Sequence, residues 1–283
     1  MRYIIAGSSG QLAKAFIKKF KYLNYDFSAP DEKEFDITDK SKIEKVFLQY
    51  SPNVIINCAA YNNVELAEQE NSKAILINKT AISNLAEFAE RYNAKLVHFS
   101  SDYVFDGTKG SLYTEEDKTN PLNEYGKSKL AGEQKALKYN NNLVCRLSWV
   151  IGEGKQNFLY KLSGWLKNNK TIKVSCDEVS VPCFTFDIAD VIIKALKNNL
   201  VGLYQLTNSG KASRYELATE FVRLNNLDNK ILPVPMASFN SKVKRPLVTT
   251  MSNKKISNEL NITIPSWQES LKKYIEIVKN EIN

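Results

Sequence analysis

The apolar residues of this chain change rhythm repeatedly, and the changes mark out its elements. Arg2-Tyr-Ile-Ile-Ala6 is an unbroken β-rich run, and Gly7-Ser-Ser-Gly10 is a turn. From Gln11 the apolar positions switch to helical spacing, at Leu12, Ala15, Phe16 and Phe20. The alternation continues. Residues 25–29 read as a second strand and residues 39–50 as a helix with Ile43, Val46 and Phe47 on one face. Residues 52–60 form a continuous apolar stretch, as a strand covered on both faces would. Residues 75–92 read as a long helix striped by Ile75, Asn78, Ile82, Leu85 and Ala89. The amide of Asn78 in that stripe either bonds a neighbouring backbone group or supports a site through water. Residues 95–100 give a fourth strand, a loop follows at 106–119, Pro121 opens another helix, and residues 143–147 are a further strand.

Strands alternating with helices from residue 2 to about 148 predict an α/β fold: a Rossmann-type, right-handed, doubly wound parallel sheet. After Trp149 the regularity loosens. Helices are expected at 158–166, 187–197, 213–225 and from Trp267 to the end, with extended pieces at 171–175 and 202–207. Residues 233–246 are irregular and basic. The expected division is a dinucleotide-binding unit at 1–150 and a smaller, mainly substrate-binding α/β lobe at 151–283, with 184–208 able to pack back on the first unit.

Composition adds exclusions. Hydrophobic content of 43% and charged content of 25% are ordinary for a soluble globular protein, and no apolar run approaches the roughly 18 residues a membrane span needs. No signal-peptide pattern precedes the first strand, so a cytoplasmic location is expected. Cys58, Cys145, Cys176 and Cys183 show neither C-x-x-C nor zinc-ligand spacing, and no metal site is expected. The single histidine, His98, lies in an apolar strand and reads as a core residue. A net charge of +8 is spread over helix surfaces without a zinc-finger or RNP pattern. Nucleic acid is therefore not the expected partner, and anionic small molecules are.

Candidate chemistry sits at the strand ends. A glycine turn between strand and helix is where a dinucleotide fold cradles phosphates: Gly7 permits the tight turn and Gly10 lets the backbone approach a pyrophosphate. The pattern is G-x-x-G-x-x-Ala, with Ala13 in the third place. Ligands in such sheets bind beyond the carboxyl ends of the strands, here at residues 7–10, 59–61 and 100–102. Tyr125 and Lys129 lie one helical turn apart and share a face. With 14 Tyr in a lysine-rich chain, chance would supply about one or two Tyr-x-x-x-Lys pairs, and this is the only one. Its meaning comes from its neighbours. A lysine ammonium and a cationic nicotinamide ring both favour the phenolate. Ser101, Tyr125 and Lys129 could then protonate a carbonyl oxygen while a dinucleotide delivers hydride to its carbon.

Taken in order, Gly7-Ser-Ser-Gly-Gln-Leu12, Phe35-Asp-Ile-Thr38, Asn57-Cys-Ala-Ala-Tyr61, Ser101-Asp-Tyr-Val-Phe-Asp-Gly107, Pro121-Leu-Asn-Glu-Tyr-Gly-Lys-Ser-Lys129 and Arg146-Leu-Ser-Trp149 resemble the extended short-chain dehydrogenase/reductases, and within them the dTDP-4-dehydrorhamnose reductases. The resemblance runs on through Asp177-Glu-Val-Ser-Val-Pro182, Phe186-Asp-Ile-Ala189, Gly202-Leu-Tyr204 and Arg245-Pro246. It implies reduction of the C4 keto group of a nucleotide-linked 4-keto-6-deoxy sugar, dTDP-4-dehydro-L-rhamnose first, by NADPH or NADH. Tyr125 would be the proton donor, Lys129 its modulator and a ribose ligand, and Ser101 the hydroxyl usually supplied by threonine. Gly7, Gly10, Gln11 and Leu12 would line the pyrophosphate, Asp36 and Ile37 the adenine, and Ala59, Ala60 and Tyr61 the nicotinamide side. Ser101, Asp102 and Trp149 would meet the sugar nucleotide, and Arg245 its diphosphate. Acidic Asp31 and Glu32 lean toward NADH or dual use, with Lys33 beside them. Cys183, where the family has threonine, removes a hydroxyl from the expected substrate side. A different nucleotide 4-keto sugar, or a non-catalytic regulatory subunit, stays as the alternative. A homodimer is an allowed assembly.

Overall fold

The computed structural model describes residues 1–282, with side chains to residue 278; Asn283, expected at the end of the last helix, lies outside them. Its centre is a six-stranded parallel sheet built from β1 (Arg2–Ala6), β2 (Asp26–Ser28), β3 (Val54–Asn57), β4 (Lys95–Ser101), β5 (Leu143–Leu147) and β6 (Gly202–Gln205). Their spatial order is β6-β5-β4-β3-β1-β2. The chain runs outward from β1 to β2 and then crosses back to β3, so the winding reverses between β1 and β3. A crevice opens at such a point, beyond the carboxyl ends of both strands.

Strand residues alternate between two buried layers, which is why the strands read as unbroken apolar runs. Ile5, Ile56, Val97, Phe99 and Cys145 pack on one face with Phe16 and Phe20 of helix Gln11–Tyr22. Ile4, Ile55, Leu96 and Val144 pack on the other with Phe47, Ile82 and Leu85. Helix Thr185–Lys197 adds Ile188, Val191 and Ile192 to the first layer, and the Lys19–Asp190 ion pair joins it to helix Gln11–Tyr22.

Two elements differ from the periodicity. The apolar stretch 52–60 is a strand only over Val54–Asn57, because the Asn57 side chain accepts from the Ala59 backbone N–H and turns the chain out of the sheet. The long helix begins earlier, at Asn71, and contains a π turn at Leu76–Thr80 before Ala81–Arg91. The extra residue aims Asn78 inward, where its amide accepts from Tyr61 N and donates to Tyr61 O and Ser128 Oγ. Gly132 lies under the same turn, and a Cβ there would strike the Asn78 carbonyl.

Residues after Trp149 build a third apolar cluster, with Ile151, Leu162, Phe184, Leu217 and Leu271 at its centre. Helices Phe158–Asn168, Arg214–Leu224 and Trp267–Ile282 supply much of it, beside the parallel pair Thr171–Ser175 and Lys230–Val234. Helix Arg214–Leu224 starts with a full capping box between Ser213 and Glu216. The stretch expected to be irregular is therefore ordered at its start, where Pro233 and Val234 pair with Val174 and Ser175. Among the described residues no helix is long and apolar enough to cross a membrane.

Candidate active site

A cleft of about 890 Å³ opens where the sheet winding reverses and extends toward the third cluster. Its size falls in the usual range for a small-molecule site. At one end is the turn after β1. Gly7 has φ +73°, and a Cβ there would lie 2.6 Å from Ala59 N, so the turn presses directly on the chain leaving β3. Gly10 N donates to Gly7 O at 2.9 Å, and Gly10 precedes helix Gln11–Tyr22 with no side-chain cap. The positive end of that helix is thus left for an anion. Gly10, Gln11, Leu12, Ala59 and Ala60 all border the cleft. The Gln11 side chain does more than line it. Its amide donates to Val150 O and accepts from Gly152 N and Asn157 Nδ2, tying the turn to the chain after β5.

Ser101 ends β4, and Tyr125 and Lys129 reach the same wall from helix Glu124–Ala136. Asn123 caps that helix by accepting from Gly126 N at 2.8 Å. A Cβ at Gly126 would strike Tyr103 O, so only glycine lets the helix approach the end of β4 this closely. The Tyr125 ring sits edge-on to Tyr103, centroids 5.6 Å apart. Lys129 is 3% exposed, and its ammonium donates to Phe99 O at 2.6 Å. Burial holds the Lys129 pKa down to about 8, opposed by the Glu133 carboxylate one turn on. Burial also dominates at Tyr125 and pushes its phenol upward, with the neighbouring Ser101 hydroxyl pulling the other way. Burial thus favours the protonated phenol, which is the form a proton donor must have.

On the far side, Trp149 is strained at φ +33°, and the Arg214 guanidinium lies 3.5 Å above its ring. Arg245 donates to Tyr103 OH at 3.1 Å and to Glu65 at 2.7 Å, while its buried Nε has no protein partner. Burial pushes the Tyr103 phenol up to about 12. Lys161, Lys173, Arg214 and Arg245 border this part of the cleft; Glu65 pairs with Arg245 and Glu178 with Arg214, so the two lysines leave the lining with an excess of positive charge. The arrangement suits an anionic ligand.

Several expected residues are either occupied by protein partners or placed away from the cleft. Asp102 borders the cleft but is 2% exposed, and both carboxylate oxygens are taken by hydroxyls. Tyr61 turns its ring away from the cleft and donates to Glu70, although its backbone is fixed by Asn78. Asp36 accepts from Thr38 N and Oγ1, and Ile37 is buried in the second layer, so neither borders the cleft. Asp31 accepts from Glu34 N in an exposed turn after β2. Cys183 does not face the substrate side: it is fully buried with its thiol against Val181 O, because the chain turns into helix Thr185–Lys197 there. His98 is buried, with Nδ1 against Asn57 and Nε2 unpartnered, and burial drives its pKa well below the usual value. It is a neutral strand residue. Sequence reading missed Arg214, Lys161, Ser180 and Thr249, whose positions depend on contacts made far along the chain.

The sequence and the fold match known proteins. Residues 1–280 match the family described as RmlD substrate binding domain. A dTDP-4-dehydrorhamnose reductase of Aggregatibacter actinomycetemcomitans is 34% identical over 96% of this chain and 97% of its own. The spore coat polysaccharide biosynthesis protein SpsK of Bacillus subtilis is 32% identical over 97% of each. Among solved structures, a dTDP-4-dehydrorhamnose reductase of Clostridium acetobutylicum superposes with TM-score 0.95 at 34% identity, over 99% of this chain and 100% of that one. The Bacillus anthracis reductase, described in complex with NADP, gives TM-score 0.94 at 33% identity over 97% and 98%. The glycine turn, the Ser101, Tyr125 and Lys129 wall and the full-length match lead to one conclusion: this chain belongs to the RmlD substrate-binding-domain family.

Proposed function

We propose that the protein reduces the C4 keto group of a nucleotide-linked 4-keto-6-deoxy sugar, with dTDP-4-dehydro-L-rhamnose converted to dTDP-L-rhamnose as the specific case. The observation that carries the reading is the wall where Ser101, Tyr125 and buried Lys129 meet beside the glycine turn. The turn fits a dinucleotide, because Gly10, Gln11 and Leu12 border the cleft and the uncapped first turn of helix Gln11–Tyr22 presents backbone N–H groups to a pyrophosphate. NADPH or NADH bound there supplies hydride to the carbonyl carbon. Tyr125 donates the proton to the carbonyl oxygen, and Ser101 holds that oxygen in line. Lys129, fixed by Phe99 O, keeps a positive charge beside the phenolate as it forms. Arg214, Arg245 and the lysines near them receive the nucleotide diphosphate.

The test follows NADPH and NADH oxidation separately against a panel of 4-keto sugar nucleotides differing in sugar and base. Consumption with the dTDP-linked substrate is expected. Cofactor binding without consumption of any member would point instead to a regulatory, non-catalytic protein.

A further inference from the structure

Four hydroxyls from four chain segments converge on the buried Asp102 carboxylate. Oδ2 is surrounded by Ser148 Oγ at 2.9 Å, Ser180 Oγ at 3.0 Å and Thr249 Oγ1 at 2.6 Å, and Ser148 and Ser180 lie 2.6 Å apart, so one of these two hydroxyls donates to the other. Oδ1 accepts from Ser101 Oγ at 3.1 Å. Ser148, Ser180 and Thr249 are as buried as the carboxylate itself. A carboxylate taken out of water must have its lone pairs filled, and these hydroxyls fill them.

The proton count has a consequence for Ser101. A hydroxyl carries one proton. Ser101 directs its proton to Asp102, while its oxygen accepts from Tyr103 N at 3.2 Å and meets the Tyr125 phenol. So placed, it has no proton for a substrate oxygen. It can offer one only by turning from Oδ1, and the carboxylate then depends on Oδ2, where Thr249 donates at 2.6 Å and the coupled Ser148–Ser180 pair supplies the other proton. Ser180 and Thr249 come from beyond the sheet. Ser180 lies in the short strand Val179–Ser180, and Val179 is laced to the following segment by Val179 N to Leu247 O at 2.6 Å and Thr249 N to Val179 O at 3.0 Å. Thr249 is four residues after Arg245 on the same segment, which also borders the cleft.

We infer that Ser180 and Thr249 are positioning residues for the reduction, acting through Asp102 to set the direction of the Ser101 hydroxyl. The inference rests on the reading of Ser101 and Tyr125 given above. Thr249→Val keeps the side-chain shape and removes the proton. In steady-state kinetics of the full chain, kcat should fall about ten- to hundredfold, the range for one hydrogen bond to a charged group. KM and cofactor affinity should stay within about threefold, because the interaction acts after binding. Thr249→Ser, which restores the hydroxyl, should recover most of kcat, and Ser180→Ala should fall in the same direction as Thr249→Val. Unchanged kcat in Thr249→Val, a loss confined to KM, or equal loss in Thr249→Ser overturns the inference while leaving the functional reading intact. Should Thr249→Val fail to fold, Ser180→Ala decides by the same split. A wild-type protein that reduces no keto sugar removes the functional reading, and this inference with it.

Discussion

Glu133→Gln separates two roles that meet in one buried ion pair. Glu133 and Arg146 are 2% and 3% exposed, and the carboxylate accepts from Arg146 Nε at 2.9 Å and from Nη2 at 2.6 Å. The pair fastens the helix bearing Tyr125 and Lys129 to β5. Neutralising Glu133 leaves a buried guanidinium with the Phe105 ring, 5.0 Å away, as its main remaining support. Breaking a buried pair from one side costs about 3–5 kcal/mol. At roughly 2.1 cal/mol/K per residue, the unfolding entropy of a chain this size is about 0.6 kcal/mol/K, so Tm should drop by about 5–8 °C. Replacing both partners, as Glu133→Gln with Arg146→Met, should recover much of that drop, since no unpaired charge remains. The second role is electrostatic. Glu133 supports the Lys129 ammonium against burial, which holds its pKa near 8. The ammonium is lost as pH rises through that value, so activity that needs it should fall on the alkaline side. Without the Glu133 charge the pKa drops further, and the alkaline limb of kcat should move toward lower pH. Thermal melts at neutral pH and a pH–rate profile check the two arms. A single variant melting with the wild type, or an alkaline limb that stays put or moves upward, would refute the reasoning.

Two further predictions concern the proton donor and the phosphate turn. Tyr125→Phe should lower kcat by about 10²–10⁴ with cofactor affinity nearly intact, because only the transferable proton is removed; a mutant turning over at the wild-type rate sinks the mechanism. Gly7→Ala should abolish tight cofactor binding in a fluorescence titration, since the new methyl meets Ala59 N at 2.6 Å on a backbone at φ +73°; wild-type affinity in that variant would show that the turn is not the cradle.

The sheet was legible because its strands are buried on both faces and its helices on one, so each left its own period in the sequence. Strand ends were less legible. Where β3 stops is decided by a single side chain, Asn57, reaching the Ala59 N–H, and no periodicity encodes that bond. The π turn was hidden because Ile75, Asn78 and Ile82 keep an approximately helical spacing through it. At the site, Tyr125 and Lys129 were readable from one turn of helix, and Ser101 from the end of a strand. Asp102 was readable as present but not as occupied: its partners Ser148, Ser180 and Thr249 arrive from 46, 78 and 147 residues away. Cys183 was read toward the substrate on its place in a motif, and the backbone turned it into the core instead.

The π turn also limits how this chain can drift in sequence. Its carbonyl at Asn78 occupies the space a side chain at 132 would need, and its amide grips both Tyr61 and Ser128. Alanine at 132 would therefore be refused while the turn persists, and deleting the extra residue would swing Asn78 off Tyr61 while Gly132 gained nothing in return. The two positions are coupled in one direction: a side chain at 132 needs the turn gone, and losing the turn gives up the Asn78 bonds whatever stands at 132. That makes Gly132, a residue with no chemistry of its own, one of the least replaceable in the helix that carries the proton donor.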